Sequence, residues 1–153
     1  MLFEFVFTGK TADRFLAEGI GYYKKKLDYY TASGIKIISC SKEKTMERIL
    51  RDESQRILKS VSNKDYLILL DEKGKQFSSI EFANEIQKIQ NKSVSKIMFV
   101  TGSAYGVDSS LRERANLIIS FSKFTFTHQM IRMLLLEQAY RAMTILKREK
   151  YHH

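Results

Sequence analysis

No proline occurs anywhere in the 153 residues, so every turn has to be made with Gly, Asn, Asp or Ser. Cysteine is almost as scarce. Cys40 stands alone, which excludes an intramolecular disulfide and a cysteine-based zinc site within one chain. A reduced, cytoplasmic setting fits that usage. The opening stretch, MLFEFVFTGK, lacks both the basic start and the apolar length of a signal peptide. No apolar run approaches the ~20 residues that span a bilayer. Neither a membrane nor a bound metal is expected.

Acidic residues are also in short supply. Seventeen Asp and Glu stand against 26 Lys and Arg, for a formal charge of +9. A small, strongly basic domain points to a polyanionic partner, most often nucleic acid, because Lys and Arg release counterions when they meet phosphates. At this length, with 44% hydrophobic residues, the chain is expected to form one domain, 1–153, around a real core.

Strand-like and helix-like segments alternate along it. Strands are expected at 2–7, 34–39, 66–70, 96–100 and 117–121. Helices are expected at 12–30, 43–60, 79–89, 108–115 and 128–147, with Ser78 and Asp108 as capping residues. The run YLILL at 66–70 is unbroken, as in a strand covered on both faces. Lys24-Lys25-Lys26 reads as a solvated helix face, with RNA contact as the lesser alternative. The pattern predicts an α/β fold with a mostly parallel sheet flanked by helices. In such sheets ligands bind beyond the carboxyl ends of the strands. There the sequence puts three segments: 71–75, 102–106 and 122–127.

The segment TGSAYG at 101–106 follows a strand and precedes a helix, which superficially resembles a dinucleotide loop. The third glycine of that fingerprint is missing, since position 108 is Asp. The loop also follows the fourth strand, leaving 47 residues, too few for a nicotinamide-binding domain built in that order. No Walker A pattern is present. Either a tight turn or a site of close backbone approach accounts for the two glycines.

The last helix is apolar on more than one side, from Met130 to Leu146. It must be buried on several faces, under the sheet or in a dimer interface. Glu137 and Arg141 stand four apart and are expected to pair. His128 and Arg132 share that spacing at the helix start. A neutral imidazole at a helix N-terminus can accept a proton or make a structural hydrogen bond.

Motifs in a fixed order carry a resemblance that covers essentially the whole chain. They include Gly9-Lys10, Glu53 with Arg56-Ile57-Leu58, Leu70, Gly74-Lys75, Ser78-Ser79 and Phe82-Ala83. The strongest are Gly102 with Ala104-Tyr105-Gly106, and LIISFSKFTF at 117–126. His128-Gln129, Arg132, Leu136-Glu137-Gln138, Tyr140-Arg141-Ala142 and Tyr151-His152 follow. In these the chain resembles the RlmH (YbeA-type) family of the SPOUT methyltransferases. The family methylates N3 of a pseudouridine in 23S ribosomal RNA with S-adenosylmethionine.

The resemblance implies a C-terminal deep trefoil knot and a homodimer whose active sites are completed by the partner subunit. It implies cofactor binding by Leu70, Gly102 and the segment Phe121, Ser122, Lys123, Phe124, Thr125 and Phe126. Methyl transfer to an imide nitrogen gains from a base. His128 and His152 are the candidates, ahead of Asp71. Arg132 and Arg141 are expected to meet RNA or orient the base, and Tyr151 to stack on it or contact the backbone. An assembled ribosome fits better than free RNA, since no further RNA-binding domain is present. The rival readings are a non-enzymatic ribosome- or RNA-binding protein with the same fold and a Rossmann-type oxidoreductase. The chain departs from the family at three points: Thr127 replaces a proline, Ser103 replaces a glycine, and Lys150 and His153 replace the tail's proline and terminal cation.

Overall fold

Strand and helix alternate in a computed structural model that describes all 153 residues. The elements are β1 (Leu2–Thr8), α1 (Arg14–Leu27), β2 (Ala32–Ile38), α2 (Met46–Leu58), β3 (Tyr66–Gln76), α3 (Ser79–Asn91), β4 (Lys96–Thr101), α4 (Ser109–Arg114), β5 (Leu117–Ser120) and α5 (Met130–Leu146). The five strands form one parallel sheet in the order β2-β1-β4-β3-β5.

Period-two alternation sorts the strand side chains onto two faces. Phe3, Phe5, Phe7, Ile68, Phe99 and Ile119 pack with α1, α3 and α5. Val6, Leu67, Leu69, Met98 and Val100 pack on the other side with Ile57 of α2 and Leu111 of α4. Burial on both faces explains why β3 and β4 are continuous apolar runs. Aromatic contacts hold the larger core, with Phe99 stacked on Phe5 at 5.1 Å and edge-on to Phe3 at 5.3 Å.

The expected caps are made. The Ser78 hydroxyl accepts from Glu81 N, and the Glu81 carboxylate accepts from Ser78 N in return. Asp108 accepts from Leu111 N. The helix α5 is buried along most of its length, including Leu135, Leu136, Ala139, Ala142 and Met143. It packs against both α1 and α3, which accounts for its nearly all-round apolar sequence.

The strands at 34–39 and 117–121 are shifted by one or two residues, to Ala32–Ile38 and Leu117–Ser120, and β3 departs furthest from expectation. β3 does not stop at Leu70 but continues to Gln76, because the chain loops out and pairs with β5 a second time. Leu70 and Lys75 both stand opposite Ile119. The backbone at Gly74 then lies so close to β5 that a Cβ would fall 2.5 Å from the Ile119 carbonyl carbon. Only glycine tolerates that approach. The bulge lifts 71–74 to the carboxyl edge of the sheet.

Gly74→Ala is therefore expected to destabilise the fold by about 1–3 kcal/mol through overpacking. Gly21→Ala, in a helix with nothing within 4 Å of the added carbon, should stabilise it by up to about 1 kcal/mol. Urea unfolding of the two variants measures both.

Candidate functional site

A cavity of about 600 Å³ opens beyond the carboxyl ends of β3, β4 and β5. That is the size of a small-molecule site and the position at which an open parallel sheet binds ligands. Three separate stretches converge on it: Leu70 to Lys73, Thr101 to Val107, and Ile119 to His128. Of the residues expected to hold a cofactor, Leu70, Gly102, Phe121, Ser122, Phe124, Thr125 and Phe126 all line it. Lys123 belongs to the same segment but does not.

The glycine loop is a tight turn. Gly106 N donates to Ser103 O at 3.0 Å, and Gly106 has φ +91°. A Cβ on Gly102 would lie 2.6 Å from the Gly106 carbonyl oxygen. Both glycines are thus required by the turn itself. Ser103, where the family has a second glycine, accepts from Tyr105 N through its hydroxyl at 3.3 Å.

The 121–126 segment is held in shape by serine hydroxyls. Ser120 Oγ donates to Ser122 O at 3.0 Å, and Ser122 Oγ accepts from Phe124 N at 2.9 Å. The Phe124 ring is 83% exposed, so its face is free to meet a planar ligand. Thr101 Oγ1, which also belongs to the cavity wall, is buried without a partner. A polar ligand atom would satisfy it. Apolar rings with a few polar atoms suit an adenosyl group.

Across the cavity, Asp71 accepts from Arg112 Nε at 3.0 Å and Nη2 at 2.8 Å, and from Lys73 N at 2.9 Å. Its oxygens are occupied, so Asp71 offers no free base. Arg112 was not foreseen: it lies 41 residues from its partner, and no local pattern joins them.

His128 lines the cavity from the opposite side. Partial burial pushes its pKa below the ordinary histidine value, the Arg132 charge pushes it further, and Glu53 opposes both. A helix N-terminus is not the cause. The helix begins only at Met130, so burial and Arg132 dominate. Thr127, which replaces the family's proline, does useful work: its hydroxyl accepts from Met130 N and its carbonyl from Ile131 N, both at 3.1 Å. A polar cap replaces a rigid ring at the helix start.

Arg132 does not line the cavity. It is wholly buried, with Nη2 donating to Thr8 O at 2.6 Å and Nη1 to Gly9 O at 2.9 Å and Thr11 Oγ1 at 3.1 Å. Its guanidinium stacks 5.0 Å over Phe7. Beside it, Gln129 Oε1 accepts from Ala12 N at 2.8 Å. Together they fasten α5 to the loop after β1.

Arg141, Tyr151 and His152 form a second cluster away from the cavity of their own chain. Arg141 pairs with Glu137 through Nε at 2.9 Å and Nη2 at 2.5 Å, as the spacing predicted. Tyr151 donates to the same Glu137 oxygen at 3.0 Å, and Arg141 lies over its ring at 4.6 Å. Burial and that carboxylate raise the Tyr151 pKa. His152 Nδ1 sits 3.4 Å from Arg141 Nη1, so the nitrogen that faces Arg141 is the acceptor. Tyr30 donates to Glu149 at 2.5 Å and is pushed up to about 12 by that carboxylate. The lysine triplet divides: Lys24 pairs with Asp28 at 2.9 Å, while Lys26 lies 4.7 Å over the Tyr22 ring. No group of His, Cys, Asp and Glu is placed to hold a metal. No helix is long and apolar enough to cross a membrane.

The family model described as predicted SPOUT methyltransferase matches residues 1–152. Curated relatives named ribosomal RNA large subunit methyltransferase H align over nearly the full length. That of Natranaerobius thermophilus is 38% identical, covering 100% of both chains. That of Christiangramia forsetii is 42% identical, covering 100% of this chain and 99% of its own. A probable methyltransferase from Bordetella pertussis Tohama I shares the fold at a TM-score of 0.57 and 10% identity, over 92% of this chain and 95% of that one.

Thr127→Ala is expected to cost about 1 kcal/mol in urea unfolding, through loss of the hydroxyl cap. The lowered His128 pKa has a pH signature. The folded state binds the proton less readily than the unfolded state, so this contribution to stability is complete above pH ~6.5 and is lost as pH falls through the folded value. Unfolding measured from pH 8 to 5 should show that loss in the wild type, and His128→Gln should lack it.

Proposed function

The chain belongs to the SPOUT methyltransferase family, and on that premise we propose that it transfers the methyl group of S-adenosylmethionine to N3 of a pseudouridine in 23S ribosomal RNA. One observation carries the reading: residues far apart in sequence, Leu70, Gly102 and the 121–126 segment, meet around a single cavity at the carboxyl edge of the sheet. Full-length similarity to relatives named for large-subunit ribosomal RNA methylation gives that cavity its substrate class. The basic charge of +9 suits RNA.

S-adenosylmethionine supplies an electrophilic methyl group, so the protein's task is to position, to exclude water and to manage one proton. The backbone of the glycine loop and the Phe-rich segment hold the adenosyl part against Leu70. His128 faces the cavity with a lowered pKa and accepts the N3 proton. Arg132 contributes by fastening the start of α5 to the end of β1 and the loop after it rather than by touching substrate.

The active unit in this reading is a homodimer of a single 1–153 domain. Arg141, Tyr151 and His152 lie outside their own chain's cavity and complete that of the partner. Tyr151 presents its ring to RNA, and Arg141 a guanidinium. The site acts on the assembled ribosome, in the cytoplasm, where a large preformed RNA surface is presented to it. The family's trefoil knot belongs to the same proposal. Close passage of Gly74 against β5, and the return of α5 between α1 and α3, support it.

Calorimetry should detect binding of S-adenosylmethionine and S-adenosylhomocysteine but not NAD. Labelled methyl groups should enter ribosomal 23S RNA far faster than naked RNA, with the label on N3 of a pseudouridine by nucleoside mass spectrometry. His128→Ala should lower kcat by roughly 10²–10⁴ while leaving cofactor affinity within a few-fold. Absence of cofactor binding would leave only the non-enzymatic RNA-binding reading. Sedimentation should give a dimer.

A further inference from the structure

Full charge in the cavity is gathered on one wall. Apart from His128, the charged residues that line it are Asp71, Glu72, Lys73 and Arg112, all on the β3 bulge or on α4. The lining residues of the glycine loop and of the 119–127 stretch carry none. An adenosyl group is neutral and is served by those uncharged walls. The charged wall carries both signs, two carboxylates and two cations, and so fits a different part of a ligand.

Arg112 is held in place before any ligand arrives. Its helix is pinned from beneath: Leu111 is wholly buried, and Asp108 N donates to Ser54 Oγ of α2 at 3.0 Å. Arg112 Nε and Nη2 both donate to one oxygen of Asp71, at 3.0 and 2.8 Å, and the other oxygen accepts from Lys73 N. The Asp71 side chain is 8% exposed and that of Arg112 40%, so the carboxylate sits behind the guanidinium. Arg112 Nη1 makes no hydrogen bond in the chain. A planar fork fixed along one edge offers its outer nitrogen with little further loss of side-chain freedom. Glu72, the next residue of the bulge, is exposed and unpaired. Lys73 is exposed too, but nothing fixes its side chain. One fixed cation and one free carboxylate on the same wall complement an α-amino-acid zwitterion.

We propose that this wall is the subsite for the amino-acid end of the methyl donor, with Arg112 Nη1 donating to its α-carboxylate and Glu72 accepting from its α-ammonium. The inference rests on the methyl-transfer reading. A sulfonium is pyramidal, so its three substituents diverge. With the adenosyl group against Gly102 and 121–126 and the methyl group towards His128, the third arm is left to the bulge and α4. Asp71 is the positioning residue of this subsite: it aims the guanidinium and touches no ligand. An arm anchored on a fixed charge holds the sulfonium in line for transfer. A phosphate of RNA is the other anion a guanidinium takes, but the free Glu72 carboxylate beside it opposes that partner.

The test is calorimetry on the full chain with three adenosine thioethers. S-adenosylhomocysteine has the whole arm, S-adenosyl-3-thiopropylamine lacks only the carboxylate, and 5′-methylthioadenosine lacks the arm. The wild type should bind the first about 10- to 100-fold more tightly than the second. Arg112→Gln should remove most of that preference while changing methylthioadenosine affinity by no more than about threefold. Glu72→Gln should weaken both amines several-fold and spare methylthioadenosine. Lys73→Gln should leave the preference intact. Should Arg112→Gln fail to fold, Arg112→Lys keeps a cation on Asp71 without the outer nitrogen and should show the same selective loss. Equal wild-type affinity for the first two compounds overturns the inference. So does an unchanged preference in Arg112→Gln with a raised KM for ribosomes, which assigns the guanidinium to RNA. If S-adenosylhomocysteine and methylthioadenosine both fail to bind, the cofactor reading itself falls, an outcome distinct from a lost carboxylate preference.

Discussion

The buried guanidinium of Arg132 is the contact on which the site depends. Three donor bonds carry it onto Thr8, Gly9 and Thr11, and stacking on Phe7 leaves it no freedom. The helix that follows the Phe-rich segment is thereby bolted to the end of a central strand. Charge-assisted bonds to carbonyls are strong, and removing them would leave buried acceptors unpaired. His128, Thr127 and the whole 121–126 segment inherit their position from that bolt. The Gln129 contact with the same loop acts in parallel.

A second constraint shapes the opposite wall. β3 pairs with β5 twice, and the bulge between the two registers lifts Asp71 into reach of Arg112. Gly74 permits the close passage that makes this geometry possible. The cavity is therefore defined by backbone placements rather than by a motif of side chains. That suits a reaction in which the cofactor carries the reactive group and the protein supplies geometry.

Much of this was legible in the sequence, for physical reasons. Unbroken apolar runs such as YLILL marked strands covered on both faces, and Ser78 and Asp108 announced helix starts by hydroxyl and carboxylate capping. The carboxyl-edge rule assembled the three cavity segments from topology alone. Long-range features were not legible. The second pairing of β3 needs the position of Ile119, and the Asp71–Arg112 bond needs the bulge. The family resemblance led Arg132 to be expected at the RNA or the target base, and it shares a four-residue spacing with His128. A helix places residues four apart on one face, yet a long side chain can still reach back into the core. Thr127 was noted only as a missing proline. Its cap became visible once Met130 was fixed as the start of the helix.

The central claim is that the methyl donor lies between the glycine loop, Leu70 and the Phe-rich segment. A crystal structure of the protein with S-adenosylhomocysteine tests it most directly. The account predicts the adenosyl group in the cavity against Gly102 and residues 121–126, with its sulfur on the His128 side. Ligand bound elsewhere on the molecule, with this cavity left to solvent, would contradict it.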